Sequence, residues 1–203
     1  PKKYWDYYRR SDITPADNPF KPEGAPDEAM HEWGELRQYA DIPAEGPLSD
    51  ETACELIHGY YAATSYTDAQ VGRLIEELNR LGLRENTIVV LWGDHGWQLG
   101  EHGLWCKHCN FNTSLNAPLI VSAPGLGRGK ACDGLVEFLD VFPTLADLCG
   151  IPIPDTCEGI SLVSQLEDPG RPGKDAVFSR YHAGDSVRTE RYLYTEWTDV
   201  EGG

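Results

Sequence analysis

The sequence of 203 residues lacks any apolar run of the roughly 18–20 residues that a membrane-spanning helix needs, and it shows no signal peptide. Basic residues are also few, because 17 Lys and Arg stand against 33 Asp and Glu and leave a formal net charge of −16. An acidic chain repels nucleic acid and anionic membranes, so we expect neither as a partner. Most of the acidic residues are expected on a solvated surface. An anionic substrate would need a binding site that is locally positive.

Residues that contain sulfur are scarce as well. The six cysteines are too sparse for a disulfide scaffold. Cys106 and Cys109 form a lone C-x-x-C, but a four-cysteine zinc site needs a second pair, and none has suitable spacing. A redox motif and two unrelated loop cysteines are both open interpretations. Met30 is the only methionine, and the chain opens on Pro1 and stops at Gly203, so we expect both ends to be cut from a longer protein.

Hydrophobic residues make up 40% of the chain, which predicts a packed globular core. Proline, glycine and acidic residues interrupt residues 9–47 and predict a long irregular loop. Ser49 or Asp50 is expected to cap a long helix that ends near Leu81, with Gly82 at its C-terminal cap. The apolar residues of this helix recur every three or four positions, so we expect the whole stripe to be buried.

Two apolar runs follow the helix, at residues 87–92 and 118–122, and each is typical of a buried strand. Asp140 is expected to cap a further helix that ends near Gly150. This order of helices and strands predicts an α/β fold, in which the chain forms part of a largely parallel sheet flanked by helices.

The last part of the chain has a different pattern. Residues 176–181 and 186–197 are typical of short strands joined by a turn at Gly184-Asp185, which predicts a small antiparallel sheet. We therefore assign residues 1–170 to one α/β domain. Residues 171–203 are assigned to the start of a small, truncated antiparallel subdomain.

The stretch from Trp92 to Lys107 carries the chemically informative residues. Asp94 and His95 directly follow an expected buried strand, which is where open α/β sheets bind ligands. An aspartate followed by a histidine at this place is a reasonable metal pair, and Lys107, a dozen residues farther on, has the charge to hold an anionic group. A structural alternative is also open, in which Asp94 caps the next turn and His95 makes a buried hydrogen bond.

A series of collinear phrases makes the chain similar to a known family. The phrases are Ser65–Leu74, Gly93–Gly96, Leu99–Trp105, Lys107–Phe111, Pro118–Val121, Asp140–Leu145, Gly159–Leu162 and Ser186–Thr189. Their order and spacing resemble the C-terminal half of the sulfatases of the alkaline phosphatase superfamily, and most nearly the iduronate-2-sulfatase-like group. The resemblance extends from Tyr60 to Glu196 and implies the same α/β fold.

This resemblance implies roles for three residues. Asp94 and His95 resemble the second pair of ligands to an active-site calcium ion. Lys107 resembles the lysine that contacts the sulfate ester oxygens and stabilises charge on the leaving group. Histidine is an unusual ligand for calcium, which prefers oxygen, so another divalent ion such as zinc or manganese is also open.

Three further residues are expected near a substrate. The resemblance places His102 and Trp105 along the pocket, and Arg188 in the appended sheet is a candidate substrate contact. An exposed structural arginine is an equal alternative for Arg188. The implied substrate is a sulfated small molecule or carbohydrate. The family suggests a periplasmic, secreted or lysosomal protein, which leaves the compartment open.

The sulfatase nucleophile is a formylglycine made from Cys or Ser in the motif Cys/Ser-x-Pro/Ala-x-Arg, and no cysteine or serine of this chain opens that motif. The resemblance implies that the nucleophile lies upstream, with an N-terminal aspartate pair and a histidine just before Pro1. We therefore expect an inactive fragment of a sulfuric ester hydrolase, with the missing N-terminal half as its partner. Two alternatives are open: a phosphodiesterase or phosphonate hydrolase, and a non-catalytic relative that binds an anion or a metal.

Overall fold

The computed structural model of the protein describes residues 1–126 and 129–198, so the closing Glu201-Gly202-Gly203, expected above to be a cut end, lies outside the described residues. Contacts within the chain divide it into two units. Unit 1 comprises residues 1–85 and 94–117, and unit 2 comprises residues 86–93 and the residues from 118 onward. The sequence-based boundary after residue 170 stays a prediction.

The secondary structure combines one long helix with short helices and strands. The α-helices are α1 (Lys2–Trp5), α2 (Asp50–Arg80), α3 (Asn112–Leu115), α4 (Val141–Leu148) and α5 (Val163–Glu167). The strands are β1 (Val89–Trp92), β2 (Gln98–Leu99), β3 (Trp105–Cys106), β4 (Leu119–Ser122), β5 (Ala176–Tyr181), β6 (Gly184–Thr189) and β7 (Leu193–Trp197). Short 3-10 helices lie at Arg10–Asp12, Asp27–Ala29, Leu36–Gln38, Arg84–Asn86, Glu101–Gly103 and Phe138–Asp140. Across the described ranges, no helix is both long and apolar enough to cross a lipid bilayer.

Helix α2 begins and ends where the sequence predicts. Ser49 is its N-cap, and the serine hydroxyl accepts a hydrogen bond from the Thr52 amide at 3.2 Å. At the other end the chain turns through Gly82, whose φ of 68° lies in the left-handed region. The Leu83 amide then donates to the Leu78 carbonyl at 2.9 Å, which satisfies one of the last carbonyls of the helix.

The apolar stripe of α2 is buried only near its N-terminal end, so the expectation of a fully buried stripe is wrong. Ala53 and Ile57 belong to the core of unit 1, and Ile57 is 4% exposed. Farther along the helix, Leu74 is 68% exposed and Leu81 is 51% exposed. The period of the apolar residues indicates which side of a helix is apolar, but it does not indicate how far along that side a partner extends.

The core of unit 1 joins the irregular segment to α2 and to the β2–β3 region. Its buried members are Ile13, Trp33, Leu36, Ala53, Ile57, Leu104, Trp105, Cys106 and Cys109. Arg37 holds the irregular segment together, because its guanidinium lies 3.9 Å from the centre of the Trp33 ring. The same guanidinium donates hydrogen bonds at 2.8, 2.7 and 3.1 Å to three carbonyls, those of Glu32, Pro43 and Gly46. These contacts fix a segment that has little regular backbone pairing.

Strands β1 and β4 form a two-stranded antiparallel sheet in unit 2, and the parallel pairing expected from the sequence is wrong for these strands. Trp92 pairs with Leu119, and the Gly93 amide extends the pairing by donating to the Pro118 carbonyl at 3.0 Å. Parallel pairing needs a crossover that returns the chain to the far end of the sheet. Here the chain leaves the sheet at Gly93 and returns to it at Pro118, directly beside Gly93. Strand β4 therefore runs antiparallel to β1. The α/β class itself is confirmed.

Strands β5, β6 and β7 form a small antiparallel sheet in that order, as expected for this part of the chain. The predicted run 186–197 is divided between β6 and β7. The turn between β5 and β6 lies at His182 and Ala183, and the predicted position at Gly184-Asp185 is wrong, since both residues belong to β6. Tyr181 pairs with Gly184, and His182 has a φ of 53°. A two-residue hairpin turn needs positive φ, which glycine adopts most easily. In this turn His182, which is not a glycine, adopts the positive φ.

Asp140 is fully buried at the start of α4 and joins three segments of unit 2. Its carboxylate accepts hydrogen bonds from the amides of Glu137 and Ile160, both at 2.8 Å, and lies 2.8 Å from the ammonium of Lys174. Asp140 stands at the predicted N-cap position, but its side chain makes no capping hydrogen bond to α4. Burial acts to lower the pKa of Lys174, but hydrogen bonds to Asp140 and Glu137 outweigh it and raise that pKa.

Replacement of Asp140 by alanine should destabilise unit 2. The change removes one carboxylate from a largely buried ammonium and leaves two amides without their acceptor. Breaking a buried ion pair typically costs about 3–5 kcal/mol, and Lys174 keeps its second partner, so we expect a loss of about 3 kcal/mol in the free energy of unfolding. Urea unfolding measures this loss. The exposed Asp155→Ala should change it by less than about 0.5 kcal/mol, and similar losses in both variants would contradict the role of Asp140.

Candidate active site

Asp94 and His95 form a close pair of potential metal ligands in unit 1. His95 Nε2 lies 3.5 Å from Asp94 Oδ2. The other ring nitrogen, Nδ1, donates to the Gly96 carbonyl at 2.8 Å, because a carbonyl oxygen can only accept. In the neutral ring Nε2 is then unprotonated and presents its lone pair beside the carboxylate. The side chain of Asp94 is 85% exposed and that of His95 is 33% exposed, so both are open to a ligand.

This pair fits one side of a divalent-cation site. Ligand atoms about 2.1–2.4 Å from one cation lie roughly 3–3.4 Å apart when they are at right angles, and the observed 3.5 Å is close to this. The Asp94 carboxylate suits calcium, and the His95 imidazole suits zinc or manganese. Within residues 1–126 and 129–198, no group of three or more His, Cys, Asp or Glu residues converges on a metal position. Two residues alone would supply only part of a coordination shell.

Gly96 determines the backbone turn that carries the pair. Its amide donates to the Ser114 carbonyl at 2.8 Å. A β-carbon at this position would lie 1.9 Å from the carbonyl oxygen of Thr113 and 2.7 Å from that of Asn116. Only a residue without a side chain permits this approach, so the turn next to His95 depends on glycine.

Lys107 is paired with a carboxylate from the irregular segment. Its Nζ lies 2.9 Å from Oε1 and 2.6 Å from Oε2 of Glu35, although the two residues are 72 positions apart. The two side chains are 27% and 31% exposed, so the pair is screened less than a surface ion pair. The hydrogen bond from Lys107 lowers the pKa of Glu35 below its ordinary value, against a raising effect of partial burial. Lys107 is thus a cation whose position is set by a fixed partner.

The indole of Trp97 connects Lys107 with His95. The Lys107 ammonium lies 5.2 Å from the centre of the Trp97 ring, which is within the range of a cation–π interaction. The His95 and Tyr60 rings stack with the indole at centre distances of 5.9 and 6.1 Å. The structure therefore brings His95 of the candidate metal pair and the candidate anion-binding lysine to one aromatic side chain.

The cysteines on either side of Lys107 do not form a disulfide. Cys106 and Cys109 are free and buried. Burial, and then the nearby Glu35 carboxylate, raise the pKa of the Cys106 thiol to about 11. Redox and metal chemistry need the thiolate, so the structure favours two buried cysteines without a redox role.

The other predicted site residues have different surroundings. His102 has a φ of 59° and packs on Phe111, with ring centres 4.3 Å apart. Trp105 is 4% exposed and belongs to the core of unit 1, so its indole packs against protein. Arg188 lies on β6 in unit 2, opposite Val177 of β5. The substrate contacts expected of all three residues stay predictions.

Three residues of this site escape prediction from the sequence: Glu35, Tyr60 and Trp97. Nothing in its local sequence distinguishes Glu35 from the other acidic residues of the irregular segment. The sequence assigns Tyr60 to the buried stripe of α2, whereas its ring is 39% exposed and stacks on Trp97. The one usable signal is the position of Trp97 two residues after His95, inside the chemically informative stretch.

Comparison with solved structures defines the class of the protein. The chain shares the alkaline-phosphatase-like α/β fold of its structural neighbours. One of them is the phosphonate monoester hydrolase SpPMH from Silicibacter pomeroyi, which superposes with a TM-score of 0.77 at 25% identity. That alignment covers 97% of this chain and 44% of the hydrolase.

Comparison of sequences then gives the family. A family model described as Sulfatase matches residues 2–151, so the chain belongs to the sulfatase family. Iduronate 2-sulfatase of Homo sapiens is 31% identical, over 97% of this chain and 49% of that protein. Iduronate 2-sulfatase of Mus musculus is 30% identical, over 99% of this chain and 49% of that protein. The chain spans about half the length of the curated relatives it matches.

Replacement of Gly96 by alanine should displace the turn that carries Asp94 and His95. The added carbon meets a backbone oxygen at 1.9 Å, so the backbone must move, and we expect a destabilisation of about 1–3 kcal/mol. Thermal unfolding measures this. The same substitution at Gly72, within α2, meets nothing within 4 Å and should stabilise the helix by up to about 1 kcal/mol. A Gly96→Ala variant as stable as the wild type would contradict the close approach.

Protonation of Glu35 should remove the stabilisation that its ion pair provides. Folding lowers the pKa of Glu35 from its ordinary value of 4.5, so this stabilisation is present above pH 4.5 and is lost as the pH falls through the lower folded value. The charges of His108 and His95 also lower the pKa of Glu35. His108 Nδ1 lies 3.9 Å from Glu35 Oε2.

The measurement is the urea midpoint of the wild type and of Glu35→Gln across this pH range. The difference between the two should shrink below pH 4.5, the ordinary pKa of the carboxyl group. Glu45→Gln, at an exposed position of the same irregular segment, should leave the midpoint nearly unchanged throughout. A constant difference between wild type and Glu35→Gln down to about pH 3 would contradict the lowered pKa.

Proposed function

We propose that this chain is the C-terminal part of a sulfuric ester hydrolase. In this proposal it supplies Asp94 and His95 to a divalent-cation site and Lys107 to the sulfate group. One observation carries the proposal: in a chain of the sulfatase family, the Lys107 ammonium and the His95 imidazole both contact Trp97, and the His95 imidazole lies 3.5 Å from the Asp94 carboxylate. The names of the iduronate 2-sulfatases support a sulfate ester of a small molecule or carbohydrate as substrate.

Lys107 acts through charge and hydrogen bonding. Its ammonium has three N–H donors, which suit the oxygens of a sulfate group. Cleavage of the ester moves negative charge onto the leaving alcohol oxygen. An ammonium close to that oxygen lowers the barrier, because it stabilises a charge that is larger in the transition state than in the bound substrate.

Asp94 and His95 would hold the cation through a carboxylate oxygen and Nε2. When bound, the cation supplies polarisation of a sulfate oxygen. The hydrogen bond from His95 Nδ1 to the Gly96 carbonyl orients the imidazole and fixes its tautomer for this task. The nucleophile, a formylglycine, and the remaining ligands would come from the N-terminal half, so residues 1–203 alone should turn over no aryl sulfate.

A phosphonate or phosphate ester hydrolase is the second candidate. The similarity to the hydrolase from Silicibacter pomeroyi favours it, and the same lysine and cation ligands suit a phosphoryl group. The upstream nucleophile separates the two. A Cys/Ser-x-Pro/Ala-x-Arg motif after an aspartate pair supports sulfate chemistry, and a threonine nucleophile supports phosphoryl transfer. Absence of any nucleophile would make the protein a binding relative.

Replacement of Lys107 by alanine in the full-length protein should lower kcat for an aryl sulfate by about 10²–10³, as loss of an electrostatic contact to the developing charge typically does. Steady-state assays with an aryl sulfate and an aryl phosphonate measure this. Lys130→Ala, at an exposed position, is the matched control and should retain activity. Undiminished aryl sulfate turnover by Lys107→Ala would contradict the role of the lysine, and preferential turnover of the phosphonate would support the second candidate.

A further inference from the structure

The Lys107 ammonium already has an anion beside it. Both carboxylate oxygens of Glu35 lie within 2.9 Å of Nζ. An ammonium has three N–H donors, so a carboxylate in this position leaves at least one for another anion. The Glu35 carboxylate therefore already neutralises much of the positive charge of Lys107 before a sulfate group binds.

The Glu35 carboxylate cannot easily move away from Lys107. Its neighbour Leu36 is 5% exposed and belongs to the core of unit 1. On the other side, Trp33 packs in the same core and lies under the Arg37 guanidinium. The backbone on both sides of Glu35 is thus anchored, and the carboxylate stays near Nζ when a second anion binds.

We propose that Glu35 is a built-in counter-anion of Lys107, which positions the ammonium and weakens its affinity for sulfate. This inference rests on the proposed function, because it takes Lys107 to be the sulfate-binding lysine. Glu35 lies within hydrogen-bond distance of the ammonium, so it acts through Lys107 and is a positioning residue. Its negative charge opposes binding of the doubly charged sulfate product more than binding of the singly charged ester.

A catalytic advantage follows from this arrangement. Affinity for the free sulfate product does not speed the chemical step, and it slows turnover when product release is slow. A fixed carboxylate lowers that affinity. It also holds the flexible lysine side chain in one place, which reduces the entropy lost when the transition state forms. Removal of the Glu35 charge should therefore tighten sulfate binding and lower kcat at the same time.

The test uses inorganic sulfate and the full-length protein with Glu35→Gln, a change that keeps the size of the side chain. Calorimetric titration should show a Kd for sulfate that is about three- to tenfold lower than that of the wild type, and sulfate should inhibit turnover more strongly. Glu35→Asp, which keeps the charge, should bind sulfate more like the wild type. Glu45→Gln in the same segment should change neither the Kd nor kcat.

A merely structural role for Glu35 predicts the opposite result, since a loosened site binds sulfate more weakly. Equal or weaker sulfate binding by a folded Glu35→Gln variant, checked by its circular dichroism, would overturn the inference. The effect of Glu35→Gln should also disappear in the Lys107→Ala background. An effect of the same size there would show that Glu35 does not act through Lys107.

The Lys107→Ala variant also separates failure of this inference from failure of the proposed function. Unchanged sulfate binding by Lys107→Ala would remove Lys107 from the anion site, and both proposals would fall. Weaker binding by Lys107→Ala, together with unchanged binding by Glu35→Gln, would overturn the inference alone. Tighter binding by Glu35→Gln together with weaker binding by Lys107→Ala would support both.

Discussion

The ion pair between Lys107 and Glu35 is the interaction on which the candidate site depends. It joins two residues 72 positions apart, and it ties the irregular segment to the chain directly after β3. Partial burial of the Lys107 ammonium without a paired anion would cost free energy. Because Glu35 is anchored through Leu36 and Trp33 in the core, the packing of unit 1 also sets the position of the ammonium.

Unit 2 uses the same physical principle for a structural purpose. Lys174 pairs there with Asp140 and Glu137, and the Asp140 carboxylate also accepts two backbone amides. Those charges are more deeply buried, and every oxygen of Asp140 has a partner, so the network holds segments of the chain together. The Lys107 pair is more exposed and lies beside an aromatic ring and a histidine, which makes it suited to meet an anion.

Membership in the sulfatase family gives these contacts a chemical context. The similarity to a phosphonate monoester hydrolase shows that one fold serves more than one ester, so the site must decide the reaction. The net charge of −16 adds a further constraint, because an anionic substrate approaches a negative field. In the proposed function, a lysine held by a fixed counter-anion would give such a substrate a cation at a defined place and only moderate affinity for the sulfate product.

The sequence by itself determined the local features of this protein. Capping residues and the spacing of apolar residues determined the bounds of α2, and β-branched runs determined the positions of β1 and β4. The motif around Asp94, His95 and Lys107 indicated the family. All of these features depend on residues that are close in sequence. Only the tertiary structure decided the rest. Three features depend on contacts between segments distant in sequence: the antiparallel pairing of β1 with β4, the exposed part of the α2 stripe, and the partner of Lys107. Local sequence patterns do not encode which distant segments come into contact.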